Sequence, residues 1–563
     1  MTAEEQYGPQ VKECSDLHAT KYRLPNETFS DGVDRNAAAM ADDDWHRRAL
    51  KPILLGQRFM PAGRVQAAMG SPRDVTAYNC FVSGIIDDSM ESLYQRTAEA
   101  AETMRRGGGI GYDFSRLRPS GDRIVSLDSS ASGPVSFMHV FNAWCGTIRS
   151  AGHRRGAMMA VLRVDHPEFI RAKRNEGDLT NFNISIGVTD EFMLCVQSGK
   201  GFDLKFDGET YHTIDAVSLW DEIMRSTWDW AEPGVLFIDR INNDNNLHYC
   251  ETIEATNPCG EQPLPPYGAC LLGSFNLVKY VVGGRFSFDK FRDDVPHIVR
   301  AMDNVIDRTK YPLPAQEVEA KAKRRMGLGF TGLANCITLC GLRYGDDNAV
   351  KFTRRIAKTL RDTAYDASAD LAAEKGHFPA YTKEYLDGEF FKRLPQETKD
   401  KVTRHGIRNS HLTSIAPTGT ISFTADNISS GIEPVFSHEL IRTVETEMGS
   451  VQVPLKDYVY HYHGLKGMET DELSVDQHLA MQIAVQPFVD SAVSKTINVG
   501  GDVNFDDFKE VYMKAWKGKL KGVTTFRLSG KRYGILQKIN TEEPVAEGAA
   551  CFIDPTTGSK TCE

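Results

Sequence analysis

Asn257-Pro258-Cys259-Gly260-Glu261 sets an amide, a thiol and a carboxylate at alternate positions of one short stretch. The wider segment, Asn257 to Cys270, holds four prolines and two glycines and cannot be helical. Pro258 pushes Asn257 toward an extended conformation, and Pro263 does the same to Gln262. Extended chain alternates its faces, so Asn257, Cys259 and Glu261 are expected to point one way, neighbours roughly 6–7 Å apart. Presented together, these groups could bind a polyol and handle its hydrogens. The same residues also read as a surface loop around a buried structural cysteine, because free Cys usually behaves as a small hydrophobe.

Other stretches offer chemistry of their own. Ala416-Pro417-Thr418-Gly419-Thr420-Ile421-Ser422 supplies hydroxyls, a glycine and consecutive backbone N–H groups, which can bind phosphate without a basic composition. No Gly-Lys-Ser/Thr follows, so an ATPase P-loop is excluded, and a polar turn is the plainer alternative. Gly107-Gly108-Gly109 lacks the context of a dinucleotide fingerprint and reads as a tight turn with close packing. Cys80 lies in an apolar run where a buried free thiol is common. Arg149, Arg154 and Arg155 could hold nucleotide phosphates or form a solvated basic helix end.

These groups need a large scaffold to position them. The 563 residues are 41% hydrophobic, 25% charged and 9% aromatic, the proportions of a globular chain rather than a disordered or fibrous one. A net charge of −10 argues against a nucleic-acid coat but permits a local pocket for phosphorylated ligands. No export signal or membrane-spanning stretch is visible, so a cytoplasmic protein is expected, its eleven cysteines mostly reduced. Helices are predicted from about Arg35 to Leu55, from the cap Ser89 to Gly107, and through Phe352, Ile356, Leu360 and Leu371 to Gly376. Ile110–Phe114, Phe182–Val188 and Leu236–Ile238 read as buried strands. Mixed helices and strands without a linker predict one α/β body. The expected boundaries are an N-terminal helical segment (1–50), a catalytic body (51–538) and a flexible acidic tail (539–563).

The segments taken together resemble the ribonucleotide reductases. Asn257-Pro258-Cys259-Gly260-Glu261 followed by Cys270 is similar to that family's finger loop, and Ala77-Tyr78-Asn79-Cys80-Phe81-Val82 to its first redox cysteine. Gly107 to Arg118 resembles the glycine turn and strand that follow, and Ala416 to Ser422 the substrate-phosphate loop. The resemblance spans about residues 50–538. It implies a ten-stranded α/β barrel of the ribonucleotide reductase and glycyl-radical type, with the finger loop at its centre. It assigns Cys259 as the thiyl radical that abstracts the ribose 3′-hydrogen, Glu261 as the base for the 3′-hydroxyl and Asn257 as the holder of the ribose oxygens. It makes Cys80 and Cys270 the reducing pair, whose Cα atoms must then come within about 4.4–6.8 Å. Asn79, Pro417, Thr418, Gly419, Thr420 and Ile421 become substrate contacts.

The resemblance also implies a dNTP effector at Asp128, Ser129, Arg149, Arg154 and Arg155, and a homodimer through a helix from Val135 to Ser150. Tail thiols Cys551 and Cys562 would reduce the active-site disulfide by exchange, with a thioredoxin-like final reductant. No glycyl-radical motif and no neighbouring Tyr-Tyr pair occurs, and the finger-loop wording is most similar to the class that uses adenosylcobalamin. The expectation is an adenosylcobalamin-dependent ribonucleotide reductase, acting on di- or triphosphates, without a protein-bound metal ion, nucleic acid or membrane. The alternatives are a large subunit fed by a separate metal-radical subunit, and a non-catalytic nucleotide-binding relative.

Overall fold

The computed structural model describes residues 7–148, 157–168, 179–446, 449–501 and 503–527, with the backbone of four short strands beyond them. Its N-terminal part is three helices, α1 (Lys12–Tyr22), α2 (Phe29–Met40) and α3 (Asp44–Leu55). The single helix expected from Arg35 to Leu55 is therefore two. Ala41 already has an extended backbone, and the Asp43 side chain caps the new helix by accepting from the His46 N–H.

The chain continues through β1 (Phe59–Pro61), α4 (Gly63–Ala68), β2 (Cys80–Val82), α5 (Met90–Arg105), β3 (Gly109–Asp113), α6 (Pro134–Thr147), β4 (Met158–Arg163), β5 (Phe182–Val188) and β6 (Gly234–Phe237). From β2 to β6 each strand pairs in parallel with the next. Strands covered on both faces read as unbroken apolar runs, and Met158 to Leu162 are all buried. Ser89 caps α5 by accepting from the Ser92 N–H, as its sequence predicts.

Next come the short hairpin β7 (Ala255–Thr256) and β8 (Pro263–Leu264), then β9 (Ala269–Cys270) and β10 (Leu272–Asn276), separated by Leu271 alone. Helix α7 (Phe288–Arg308), β11 (Gly327–Thr331), the long α8 (Asp347–Lys375), the short α9 (Gly419–Phe423), β12 (Thr496–Val499) and β13 (Gly522–Arg527) complete the body. The eight-stranded sheet runs β9-β2-β3-β4-β5-β6-β13-β12, and the three-stranded sheet runs β1-β10-β11. Single parallel bridges, Leu328 to Thr413 and Ile415 to Val493, extend the pairing from β11 toward β12.

The strands that build the body thus fall mainly into an eight-stranded and a three-stranded sheet, where a ten-stranded barrel was expected. Around residues 413 and 490 the backbone spends its hydrogen bonds elsewhere: the Thr413 N–H donates to Asp490, and the Ala492 N–H to the Glu261 carbonyl. The β7–β8 hairpin lies against the main sheet. A Cβ at Gly111 of β3 would stand 1.8 Å from the Thr256 carbonyl oxygen, so only glycine lets the two backbones approach. Phe81, Leu271 and Leu272 sit in the main hydrophobic core beside Cys80 and Cys270, which fixes β2 and β9 against each other. Among the described residues no helix is long and apolar enough to cross a membrane.

Candidate active site

Asn257 to Gln262 forms the turn of the β7–β8 hairpin. The Asn257 N–H donates to the Gln262 carbonyl and the Gly260 N–H to the Asn257 carbonyl, both at 3.1 Å. Gly260 has a φ of +81, a left-handed backbone that glycine accepts at little cost. The alternating extended chain expected here is replaced by a turn, and it is the turn that gathers the side chains. Cys259 and Glu261 stand in the wall of one cavity. The tip is held from several sides: the Glu261 carbonyl accepts from the Ser414 hydroxyl and the Ala492 N–H at 2.9 Å each, and the Pro258 carbonyl from the Asn183 amide at 2.8 Å.

Asn257 is fully buried, and its Oδ1 accepts from the Gln262 N–H at 2.9 Å. Its Nδ2 has no partner among the described residues. A buried donor left unused costs about 1–3 kcal/mol, which suits a group that meets a ligand.

Cys80 of β2 and Cys270 of β9 are direct Cα partners in an antiparallel pair. Residues so placed stand about 4.5–5.5 Å apart, within the span a disulfide bridges. Cys80 shares the cavity wall with Cys259 and Glu261, while Cys270 is fully buried. Burial pushes the Cys270 thiol well up, and Glu261, Cys80 and Cys259 nearby push the same way, so it stays protonated. The last glycine of the 107–109 run belongs here too. A Cβ at Gly109 would stand 3.2 Å from both Cys80 Sγ and Pro258 Cγ.

Pro417, Thr418, Thr420 and Ile421 line the same cavity of ≈ 50 Å³, with Asn79 and Tyr22, and Gly419 opens α9 beside them. Thr418 has a φ of +55, and its Oγ1 lies 2.8 Å from Thr331 Oγ1 and accepts from the Gly431 N–H at 2.8 Å. A second cavity of ≈ 100 Å³ meets Cys259 from another side and includes Asn183, Ser185, Glu232, Lys495 and Thr524. Lys495 is buried there in an ion pair with Glu433 at 2.6 Å. Cys259 is therefore common to both cavities.

A family model described as the ribonucleotide reductase barrel domain matches residues 78–526. The chain belongs to the ribonucleotide reductase family. A vitamin B12-dependent ribonucleoside-diphosphate reductase of Mycobacterium tuberculosis (strain ATCC 25618 / H37Rv) is 34% identical over 590 residues, covering 97% of this chain and 81% of that one. One of Thermoplasma acidophilum is 35% identical over 491 residues, 81% of this chain and 62% of that one. A vitamin B12-dependent ribonucleotide reductase of Streptomyces clavuligerus is 27% identical, covering 96% of this chain and 65% of that one.

Against this ribonucleotide reductase body the remaining expected residues fall as follows. Asp128 and Ser129 lie on an exposed two-stranded ribbon away from both cavities, where Asp128 pairs with Arg123 at 3.0 Å. Arg149, Arg154 and Arg155 lie outside the described residues. In the tail, strand Cys551–Ile553 pairs antiparallel with Lys560–Cys562, and Cys551 is the Cα partner of Cys562. Sequence reasoning missed Asn183, Ser414, Thr331 and Tyr22. Asn183 and Ser185 carried a signal, being polar positions on one face of the otherwise apolar strand β5. Tyr22 carried none, because nothing in the order of residues ties α1 to the finger loop.

Proposed function

We propose that the chain is an adenosylcobalamin-dependent ribonucleotide reductase, an oxidoreductase that makes 2′-deoxyribonucleotides for DNA synthesis. One observation carries this reading: Cys80, Cys259 and Glu261 share a cavity wall, with Cys270 directly opposite Cys80. In this reading the catalytic body runs over residues 51–538 and closes as a ten-stranded ring. The β9–β10 run, interrupted only at Leu271, and the bridges at Thr413 and Val493 support that closure.

The ribose lies between Cys259 and Cys80, and its phosphates lie on Pro417 to Ile421 with Asn79 at the sugar end. As a thiyl radical, Cys259 takes the hydrogen atom from C3′. Glu261 takes the 3′-hydroxyl proton, a task for a carboxylate within hydrogen-bond reach. The free Nδ2 of Asn257 donates to the ribose oxygens as charge develops on them. The 2′-hydroxyl leaves as water with a proton from the Cys80–Cys270 dithiol, which the raised Cys270 thiol holds ready. The pair gives up two electrons and its second proton and ends as a disulfide. Cys259 then returns its hydrogen to C3′ and regains the radical, and Glu261 returns its proton to the 3′ oxygen. Ribonucleotide and dithiol become deoxyribonucleotide, disulfide and water.

The second cavity beside Cys259 suits the hydroxyls and base of a deoxyadenosyl group through Asn183, Ser185, Glu232, Lys495 and Thr524. When bound, adenosylcobalamin supplies the radical equivalent by homolysis of its Co–C bond. The names of the relatives support this cofactor, and the sequence has no Tyr-Tyr pair for a relay from another subunit.

The opposed register of Cys551 and Cys562 supports a tail dithiol that reopens the active-site disulfide and is itself reduced by a thioredoxin-like protein. Exposed Val140 and Trp144 on α6 support a homodimer through that helix, with a dNTP effector held by Asp128, Ser129, Arg149, Arg154 and Arg155. Purified protein given adenosylcobalamin, CDP and dithiothreitol without oxygen is expected to form dCDP with no second protein. Activity that needs a partner subunit overturns the cofactor assignment, and no activity with either overturns the reductase.

A further inference from the structure

Tyr22, the last residue of α1, lies outside the matched barrel domain yet stands in the wall of the cavity that holds Cys259, Glu261 and Thr418. Its ring packs with Ile421 of the phosphate loop and with Met60, and edge-on against His18 at a centroid distance of 5.2 Å. The phenol end lies over Gly63, where a Cβ would stand 2.8 Å from the hydroxyl. The ring is therefore clamped on its faces and rim. On its other side lies a separate cavity of ≈ 40 Å³, bordered by Arg23, Arg35 and the buried Asn36, whose Oδ1 has no partner among the described residues. That volume holds roughly three waters at about 15 Å³ each, the size of the three terminal oxygens of one more phosphoryl group. Tyr22 borders both cavities.

We propose that Tyr22 closes the phosphate end of the substrate cavity and makes the enzyme select ribonucleoside diphosphates against triphosphates. The inference rests on the reductase reading and adds to it the residue that sets the choice of phosphate number, the diphosphate being the substrate in the names of two relatives. A diphosphate ends on the Thr418 loop against the ring, and a third phosphate has room only where the ring stands. Removing the ring joins the two cavities and gives the extra phosphoryl group their combined space; Arg35 beside it stays paired with Glu27 at 2.7 Å.

The test compares kcat/KM for CDP and CTP in wild type, Tyr22→Phe, Tyr22→Leu and Tyr22→Ala. Wild type is expected to favour CDP at least about tenfold, and Tyr22→Phe to keep that ratio because the ring remains. Tyr22→Leu and Tyr22→Ala are expected to move the ratio toward CTP by about tenfold, the alanine variant further. Wild type that prefers CTP overturns the inference whether or not the smaller variants fold, and so does an unchanged ratio in either of them. Wild type that reduces neither nucleotide counts against the reductase itself.

Discussion

Cys80 and Cys270 face each other as Cα partners across β2 and β9, and the cavity that exposes Cys80 also exposes Cys259 and Glu261. The sheet, rather than a loop, makes this meeting. β2 and β9 are buried beside Phe81 and Leu271, so the two thiols keep their register through a catalytic cycle. Their role as the reducing pair predicts that Cys80→Ser stalls after at most one aberrant turnover, while binding of ribonucleotide persists. Product per enzyme under excess dithiothreitol checks this, and sustained turnover by the variant would refute the pairing.

The protonated state of Cys270 has a chemical signature. Burial holds that thiol up, whereas a hydrogen bond from Cys336 lowers Cys340, which is only half-buried. Thiolate is the reactive form. Iodoacetamide at about pH 8 is expected to label Cys340 well before Cys270, as followed by peptide mass spectrometry. Faster labelling at Cys270 contradicts the environment described here.

Gly111 sets how closely the hairpin sits on the sheet. Gly111→Ala brings a methyl into the Thr256 carbonyl and is expected to cost about 1–3 kcal/mol, as overpacking does, and to shift the Cys259 tip. Thermal unfolding and turnover measured together check it, with activity falling further than stability explains. A variant of wild-type stability and rate contradicts the contact.

Asp42, at the joint between α2 and α3, ties the N-terminal helices to the body through Lys375 and Arg300, both at 2.7 Å. Burial alone would raise its carboxyl, but the bonds from Lys375 and Arg300 outweigh it and hold the group well below the usual range. A carboxyl depressed in the folded state stabilises the protein above its unfolded value of about 3.9, and that stabilisation fades as pH falls through the folded value. Asp42→Asn is expected to lower the melting temperature at pH 7, with the gap to wild type narrowing below about pH 4. A gap that stays constant with pH contradicts the ion-pair account.

Much of this was legible in the sequence, for identifiable reasons. Ser89 and Gly376 cap their helices where the pattern placed them, because capping is local chemistry. The finger segment was legible as non-helical but not as a hairpin turn: prolines exclude a helix, whereas the reversal depends on the left-handed Gly260 and on the β7–β8 pairing. The break at Ala41 did carry a local signal, the Asp42-Asp43-Asp44 run whose middle residue caps α3, but it was passed over. The proximity of Cys80 to Cys270 came only through family resemblance, since no residue-level rule links positions so distant in the chain. Tyr22 was invisible for the same reason.

The central claim is that Cys80 and Cys270 supply both electrons for one ribonucleotide. Its most direct test is a single turnover without oxygen, with prereduced protein, adenosylcobalamin and CDP and no dithiol. Tail cysteines Cys551 and Cys562 are replaced by serine so that no other pair contributes. The expected result is about one dCDP per chain, matched by one Cys80–Cys270 disulfide in the peptide map. Formation of dCDP with both thiols still free contradicts the account.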